Sequence, residues 1–297
     1  MKKIISLLLL AASSSAIADV NIFACEPEWA SLSQELGGDK VTIFSATNGL
    51  QDPHYIQARP SLIAKARRTD LLVCTGADLE VGWLPLLQNK SGNANIQTGA
   101  TGYFLASNYV RLADIPATLD RSQGHIHATG NPHIQTSPLN ILKVAQALSQ
   151  RLQEVDGANA ALYQQRLQDF NHRWQAAIDK WQLQAAPLKG INVVVQHNSW
   201  TYLFDWLGLN KVAVLEAKPG VPPTVSDLNN TLNQLKTTPA KLVINAAYQP
   251  SKASDWLVDK TAIAKATLPF TVGGDEQSSD LFGLFDDTIQ RLLEANK

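Results

Sequence analysis

The chain has 297 residues, with 25 Lys and Arg against 26 Asp and Glu, a formal net charge of −1 at pH 7. That balance excludes electrostatic capture of nucleic acid or of an anionic membrane surface. The length suits two domains or one large one.

The N-terminus sets the expected compartment. Lys2 and Lys3 precede an apolar run from Ile4 to Ala12, and Ala16-Ile17-Ala18 is a small-x-small cleavage motif. This reads as a secretory signal peptide over residues 1–18, with the mature periplasmic chain starting at Asp19. Its apolar part is too short for a membrane span, and no later stretch reaches the ~18 apolar residues a span requires. Lipidation at Cys25 is disfavoured because Phe23 sits poorly two positions before it and polar residues intervene. Cys25 and Cys74 each end an apolar β-like run, so in an oxidising compartment a disulfide between neighbouring strands is the economical reading.

Strand-like runs alternate with helical patterns along the rest of the chain, which predicts parallel sheets. In the first half the runs are VNIFAC, KVTIFSAT, DLLVCTG and, more weakly, NYVRLADI. Between them lie helical segments whose leading prolines, Pro27 and Pro60, suit helix starts. The second half offers INVVVQH, KVAVLE, KLVINAA and LPFTVGG, a capping box at Thr224 to Asp227, and a last helix over Ser279 to Ala295. From Ala158 to about Gln184 there is neither proline nor glycine, and Tyr163, Leu167, Phe170, Trp174, Ile178 and Trp181 form one apolar stripe. Core packing explains that stripe better than an aromatic ligand box does. A helix of about 25 residues spans nearly 40 Å and can link two lobes stiffly. The expected division is residues 1–18 signal peptide, 19–155 first lobe, 156–186 linking helix and 187–297 second lobe.

Six histidines are placed unevenly, with three inside the stretch GHIHATGNPH from Gly124 to His133. His54 follows the strand KVTIFSAT, and His197 ends the strand INVVVQH. His133 stands in a loop before a helix that begins near Pro138. Open parallel sheets bind ligands outside the carboxyl ends of their strands. A site built from all three must therefore lie between the lobes. His172 falls off the apolar stripe and is expected to face solvent. Taken singly, each of the three reads more readily as a hydrogen-bonded structural residue than as a ligand, and no HExxH, paired CxxC or EF-hand loop is present. Pro53 and Pro132 immediately precede His54 and His133 and restrict the backbone there. Nearby carboxylates, amides or carbonyls can hold the second imidazole nitrogen, as metal-bound histidines require.

Four stretches, DPHYIQARPSLIAKARRTDLLVCTGADLE, GNPHIQTSPLNILKVAQAL, VVVQHNSWTYLFDWLGL and LPFTVGGDEQSSDLFGLFDDTIQRLLEA, resemble the zinc- and manganese-specific metal-binding proteins of ABC importers, the cluster A-I family. The resemblance runs in order along nearly the whole mature chain. It implies an α/β architecture of two Rossmann-like lobes with mostly parallel sheets, joined by one long rigid helix, with a single metal between the lobes. By position it implies His54, His133 and His197 as ligands. Asp275 in VGGDEQ is the nearest match to the family's fourth ligand, although the loop here is shorter. His127 and water are the alternatives, and His125 with His127 reads as the remnant of a histidine-rich capture loop.

Three imidazoles with at most one carboxylate suit tetrahedral Zn2+ better than Mn2+ or iron. The resemblance implies a monomeric, non-enzymatic periplasmic protein that delivers its metal to an ABC permease with its ATPase. Capture needs neutral imidazoles, so affinity should fall below about pH 6. A periplasmic zinc hydrolase is the rival, since three histidines with an open position also describe a catalytic zinc. Its best candidate for a general base is Glu26, whose simpler reading is a helix-start acid favoured by the dipole. A two-lobed binder of a larger chelate is a second rival and would need a wide, aromatic-lined site.

Overall fold

A computed structural model describes residues 19–118 and 127–297. The signal segment expected at residues 1–18, and His125, lie outside them. Among the described residues no helix is long and apolar enough to cross a membrane.

Two four-stranded parallel sheets organise the molecule. The first holds β1 (Val20–Ala24), β2 (Val41–Ser45), β3 (Leu71–Cys74) and β4 (Tyr103–Leu105) in the order β2-β1-β3-β4. The second holds β5 (Asn192–Val195), β6 (Asn210–Val214), β7 (Leu242–Ala246) and β8 (Ala264–Leu268) in the order β6-β5-β7-β8. The central strands are continuous buried runs, LLVC in β3 and LVINA in β7, as a parallel sheet covered on both faces requires. Two expected strands are displaced. NYVRLADI starts in a 3-10 turn, Ala106–Tyr109, and is irregular beyond it, and its place at the sheet edge belongs to the earlier Tyr103–Leu105. LPFTVGG gives only Leu268 to β8 and is loop from Pro269 onward.

Helices cover the sheets. α1 (Pro27–Gly37), α2 (Pro60–Ala66) and α3 (Leu84–Ser91) each carry proline in the first turn, where the missing N–H has no intrahelical partner to lose. α4 (Pro138–Val155) leads to α5 (Ala160–Gln184), the long helix read from the aromatic stripe. The second lobe adds α6 (Thr201–Leu207), α7 (Val225–Thr237), α8 (Lys252–Thr261) and α9 (Leu281–Ala295). The capping box at Thr224 forms, with its side chain and that of Asp227 each accepting from the other's backbone. Asp280 stands just before α9 as its N-cap, accepting from Gly283 N at 2.8 Å.

α5 is not a free strut. Tyr163, Phe170, Trp174, Ile178 and Trp181 are buried, while His172 is exposed. The Trp174 ring lies 4.8 Å from Phe282 and 5.6 Å from Phe285 of α9, and its Nε1 donates to Pro138 O at 2.9 Å. One helix thus packs on both lobes, and the apolar core runs through it from sheet to sheet. Cys25 and Cys74, on adjacent chain segments with Cα atoms 4.8 Å apart, form the disulfide read from the sequence.

Candidate metal centre

The four described histidines other than His172 converge between the sheets. Ring centroids lie 5.2 Å apart for His54 and His127, 5.5 Å for His54 and His133, 5.7 Å for His133 and His197, and 6.2 Å for His54 and His197. His54, His127 and His133 each offer a ring nitrogen within 4.8 Å of the others. The Nε2 atoms of His54 and His127 are 3.2 Å apart. Ligands 2.0–2.1 Å from a tetrahedral zinc stand about 3.3 Å from one another.

Each ring is held by local chain chemistry. His54 lies in a single 3-10 turn, Pro53–Tyr55, capped by Asp52. Asp52 Oδ1 accepts from the His54 backbone at 3.0 Å and from its ring Nδ1 at 2.7 Å, and Trp83 Nε1 pins Pro53 O at 3.0 Å. Burial pulls the Asp52 carboxyl upward, but the His54 ring and backbone outweigh it and hold the group below the ordinary aspartate range. His197 stands two residues past β5, and its Nδ1 meets Glu216 Oε2 at 2.7 Å. Glu216 follows β6 and is itself fixed by Gly220 N at 2.9 Å. With Nδ1–H given to a carboxylate, both rings present an Nε2 lone pair.

His133 is fully enclosed. Burial, then the neighbouring His54, His197 and His127, push its pKa well below 6.5, so it is neutral at pH 7. Its Nδ1 is buried with no hydrogen-bond partner. A ring left in that state is tolerated at a ligand centre more readily than in a packed core. The loop is seated by Gly130 at φ 123°, where a Cβ would stand 2.8 Å from Ala113 O, so only glycine lets the chain approach so closely. Asn131 Oδ1 accepts from His133 N at 3.0 Å, and Asn131 Nδ2 donates to Asn198 O at 2.9 Å in the other lobe. Asp114 Oδ2 gathers Asn131, Asn198 and Thr201 at 3.0, 2.8 and 2.7 Å. This network fixes the His133 and His197 loops relative to each other. His127 is half-buried, and the next residue is anchored by Ala128 N on Asp78 Oδ2 at 3.1 Å.

Asp275, expected as the leading fourth ligand, has both carboxylate oxygens engaged by other groups. Its Oδ1 accepts from Gln277 N and Ser278 N at 3.1 and 2.9 Å, and its Oδ2 pairs with Arg291 at 2.8 Å. The shortened loop turns back on itself and ties the carboxylate to α9. Glu26 also keeps other company. Its Oε2 accepts from Thr75 Oγ1 at 3.1 Å, and Glu80 and Glu28 lie beside it. Sequence reasoning missed Glu216 as a ring partner. The available signal was an acid directly after a strand, in VAVLE.

Fold and cluster together define a two-lobed α/β binding protein with an imidazole-rich cleft. The family model described as "ZnuA: Zinc-uptake complex component A periplasmic" matches residues 22–295, and the chain belongs to that family. The family is one of solute-binding proteins, not of enzymes. The manganese ABC transporter substrate-binding lipoprotein of Streptococcus gordonii is 25% identical over 172 residues, covering 57% of this chain and 52% of the relative. The metal ABC transporter substrate-binding lipoprotein of Streptococcus mutans is 22% identical, covering 83% of this chain and 78% of the relative. The chain thus spans about half the length of some of the curated relatives it matches. A solved structure described as the crystal structure of ZnuA superposes with a TM-score of 0.75 at 18% identity, covering 94% of this chain and 100% of that one.

Proposed function

We propose that this protein captures zinc in the periplasm and delivers it to the permease and ATPase of an ABC importer. His54, His127, His133 and His197 hold the ion, and Asp52 and Glu216 orient two of the rings. The observation that carries this reading is the convergence of four imidazoles, with two Nε2 atoms already 3.2 Å apart. An all-nitrogen donor set favours zinc, whereas manganese prefers oxygen ligands, and Asp275 is committed to Arg291. Several relatives are named for manganese, so the choice of metal is the point to test.

In this reading residues 1–18 are removed on export, residues 19–155 and 187–297 act as lobes joined by 156–186, and the protein works as a monomer. A small lobe rotation that withdraws one imidazole releases the ion.

Competition isotherms for zinc and manganese, on wild type and single variants purified without added metal, decide the matter. Zinc should bind at least about 100-fold more tightly than manganese. His133→Ala should weaken zinc by about 100-fold, and Asp52→Asn by about 10-fold or more. Asp275→Ala should leave zinc binding nearly unchanged. Tighter manganese binding, or a loss in Asp275→Ala matching that in His127→Ala, refutes the assignment.

A further inference from the structure

A cavity of about 620 Å³ opens behind two of the imidazoles, on the side where their carboxylate partners stand. Asp52, from the first lobe, and Glu216, from the second, both line it. Each commits one oxygen to its histidine: Asp52 Oδ1 to His54 and Glu216 Oε2 to His197. Asp52 Oδ2 and Glu216 Oε1 take no hydrogen bond among the described residues. A third acceptor lies on the same wall. Gln196 is 5% exposed, and while its Nε2 donates to Pro250 O at 3.0 Å, its Oε1 is buried without a partner. The remaining wall is apolar and aromatic, with Tyr55, Tyr248 and Trp256.

Such a wall offers two carboxylate oxygens, an amide oxygen and π faces to an occupant that donates. The Tyr248 phenol reports the local field: burial first, then Asp52 and Glu216, push its pKa far up. A bare divalent ion fits poorly, because the aromatic wall would strip its water without supplying six or more oxygens. A guanidinium fits well, since it donates in a planar fork to carboxylates and stacks on aromatic rings. The basic residue on the wall is Lys252, exposed at the start of α8.

We propose that this cavity binds a guanidinium group on an apolar stem, between Asp52 and Glu216, and that its occupancy weakens metal binding at the histidines. Two effects act in the same direction. The guanidinium draws carboxylate electron density away from the Nδ1–H groups, which makes the imidazoles poorer ligands. Its charge also repels the divalent ion. The linkage is reciprocal, so the loaded protein binds the guanidinium less well than the metal-free one. The antagonism rests on the metal-binding reading above, whereas the cation site itself does not.

Two probes separate the sources of such a group: butylguanidinium for a free small molecule, and a blocked Ala-Arg-Ala tripeptide for a protein side chain. Calorimetry on the metal-free protein at low ionic strength should detect binding of at least one. The tighter of the two identifies the source. Saturating probe should raise the zinc dissociation constant about 5-fold or more. Val225 lines the cavity and is 72% exposed, so Val225→Lys keeps the fold and places an ammonium at the site. Trp256→Ala should lose probe binding while changing the zinc constant less than about 2-fold without probe, whereas Val225→Lys should lose probe binding and, by holding a cation at the site, weaken zinc in the same direction as the probe. A protein that binds zinc but neither probe overturns the inference. So does probe binding that survives both substitutions, or one that leaves zinc affinity unmoved. A folded protein that binds no zinc instead refutes the metal assignment.

Discussion

Glu26, Glu28 and Glu80 are 3%, 1% and 2% exposed, and they meet just past the carboxyl ends of β1 and β3. Burial raises Glu28 and Glu80 to about 7, and it raises Glu26 well above its ordinary range, with Glu80 and Glu28 adding repulsion. Glu80 accepts from Thr75 N at 2.7 Å and Gly76 N at 3.0 Å, so it is the better anion. Glu26 Oε1 has no donor, and a protonated Glu26 resolves this by donating to its neighbour. Glu28 accepts from Thr271 Oγ1 of the second lobe, so the cluster touches the interlobe contact. Folded-state values above the unfolded value near 4.5 mean the fold holds protons more tightly than the open chain does. The stabilisation is complete below about pH 4.5 and is lost as pH rises through about 7. His133 has the opposite sign, since its lowered value removes stability as pH falls below about 6.5. Glu26→Gln keeps the hydrogen bond without the acid. Its melting temperature should exceed wild type's by several degrees at pH 8 and approach it at pH 5. A variant less stable at pH 8 would show that Glu26 is ionised in the fold.

At the scale of elements, α5 carries the consequence of its own periodicity. Trp174 is fully buried among Phe170, Phe282 and Phe285, so Trp174→Ala should cost about 3–5 kcal/mol by denaturant unfolding. Leu183, on the same helix and 79% exposed, should change stability by less than about 0.5 kcal/mol when truncated to Ala. Equal losses at the two positions would contradict the observed packing. The stripe was legible because burial on one side of a long helix leaves a period that no other element imitates. The central strands were legible for a similar reason, as unbroken apolar runs. β4 and β8 were not, and both lie at sheet edges. AKATL is half-covered and mixes lysine with threonine, so its pattern is weak beside the apolar LPFTVGG that follows it.

Across the whole molecule, the Asp114–Asn131–Asn198–Thr201 network joins the loops of His133 and His197, so zinc should act on both lobes together. Hydrogen exchange should show slowed amides at residues 127–133 and 197–201 on the same zinc titration curve. Protection confined to one segment would argue for a site within a single lobe. Strand ends and proline-restricted loops pointed to His54, His133 and His197 in the sequence. The pairing of Asp275 with Arg291, sixteen residues on, was not legible, because a carboxylate's partner is set by loop length and helix register rather than by local pattern.

The two sheets share one strand permutation, β2-β1-β3-β4 and β6-β5-β7-β8, so each station in one half has a counterpart in the other. His197 stands two residues past β5, and Glu26 stands two residues past β1. The same architectural position therefore carries the His197 imidazole on one side and, on the other, an inward-facing acid whose pKa burial pushes well up. One strand plan is thus built twice in the chain and its equivalent positions are filled with opposite chemistry, a base in one half and an acid in the other.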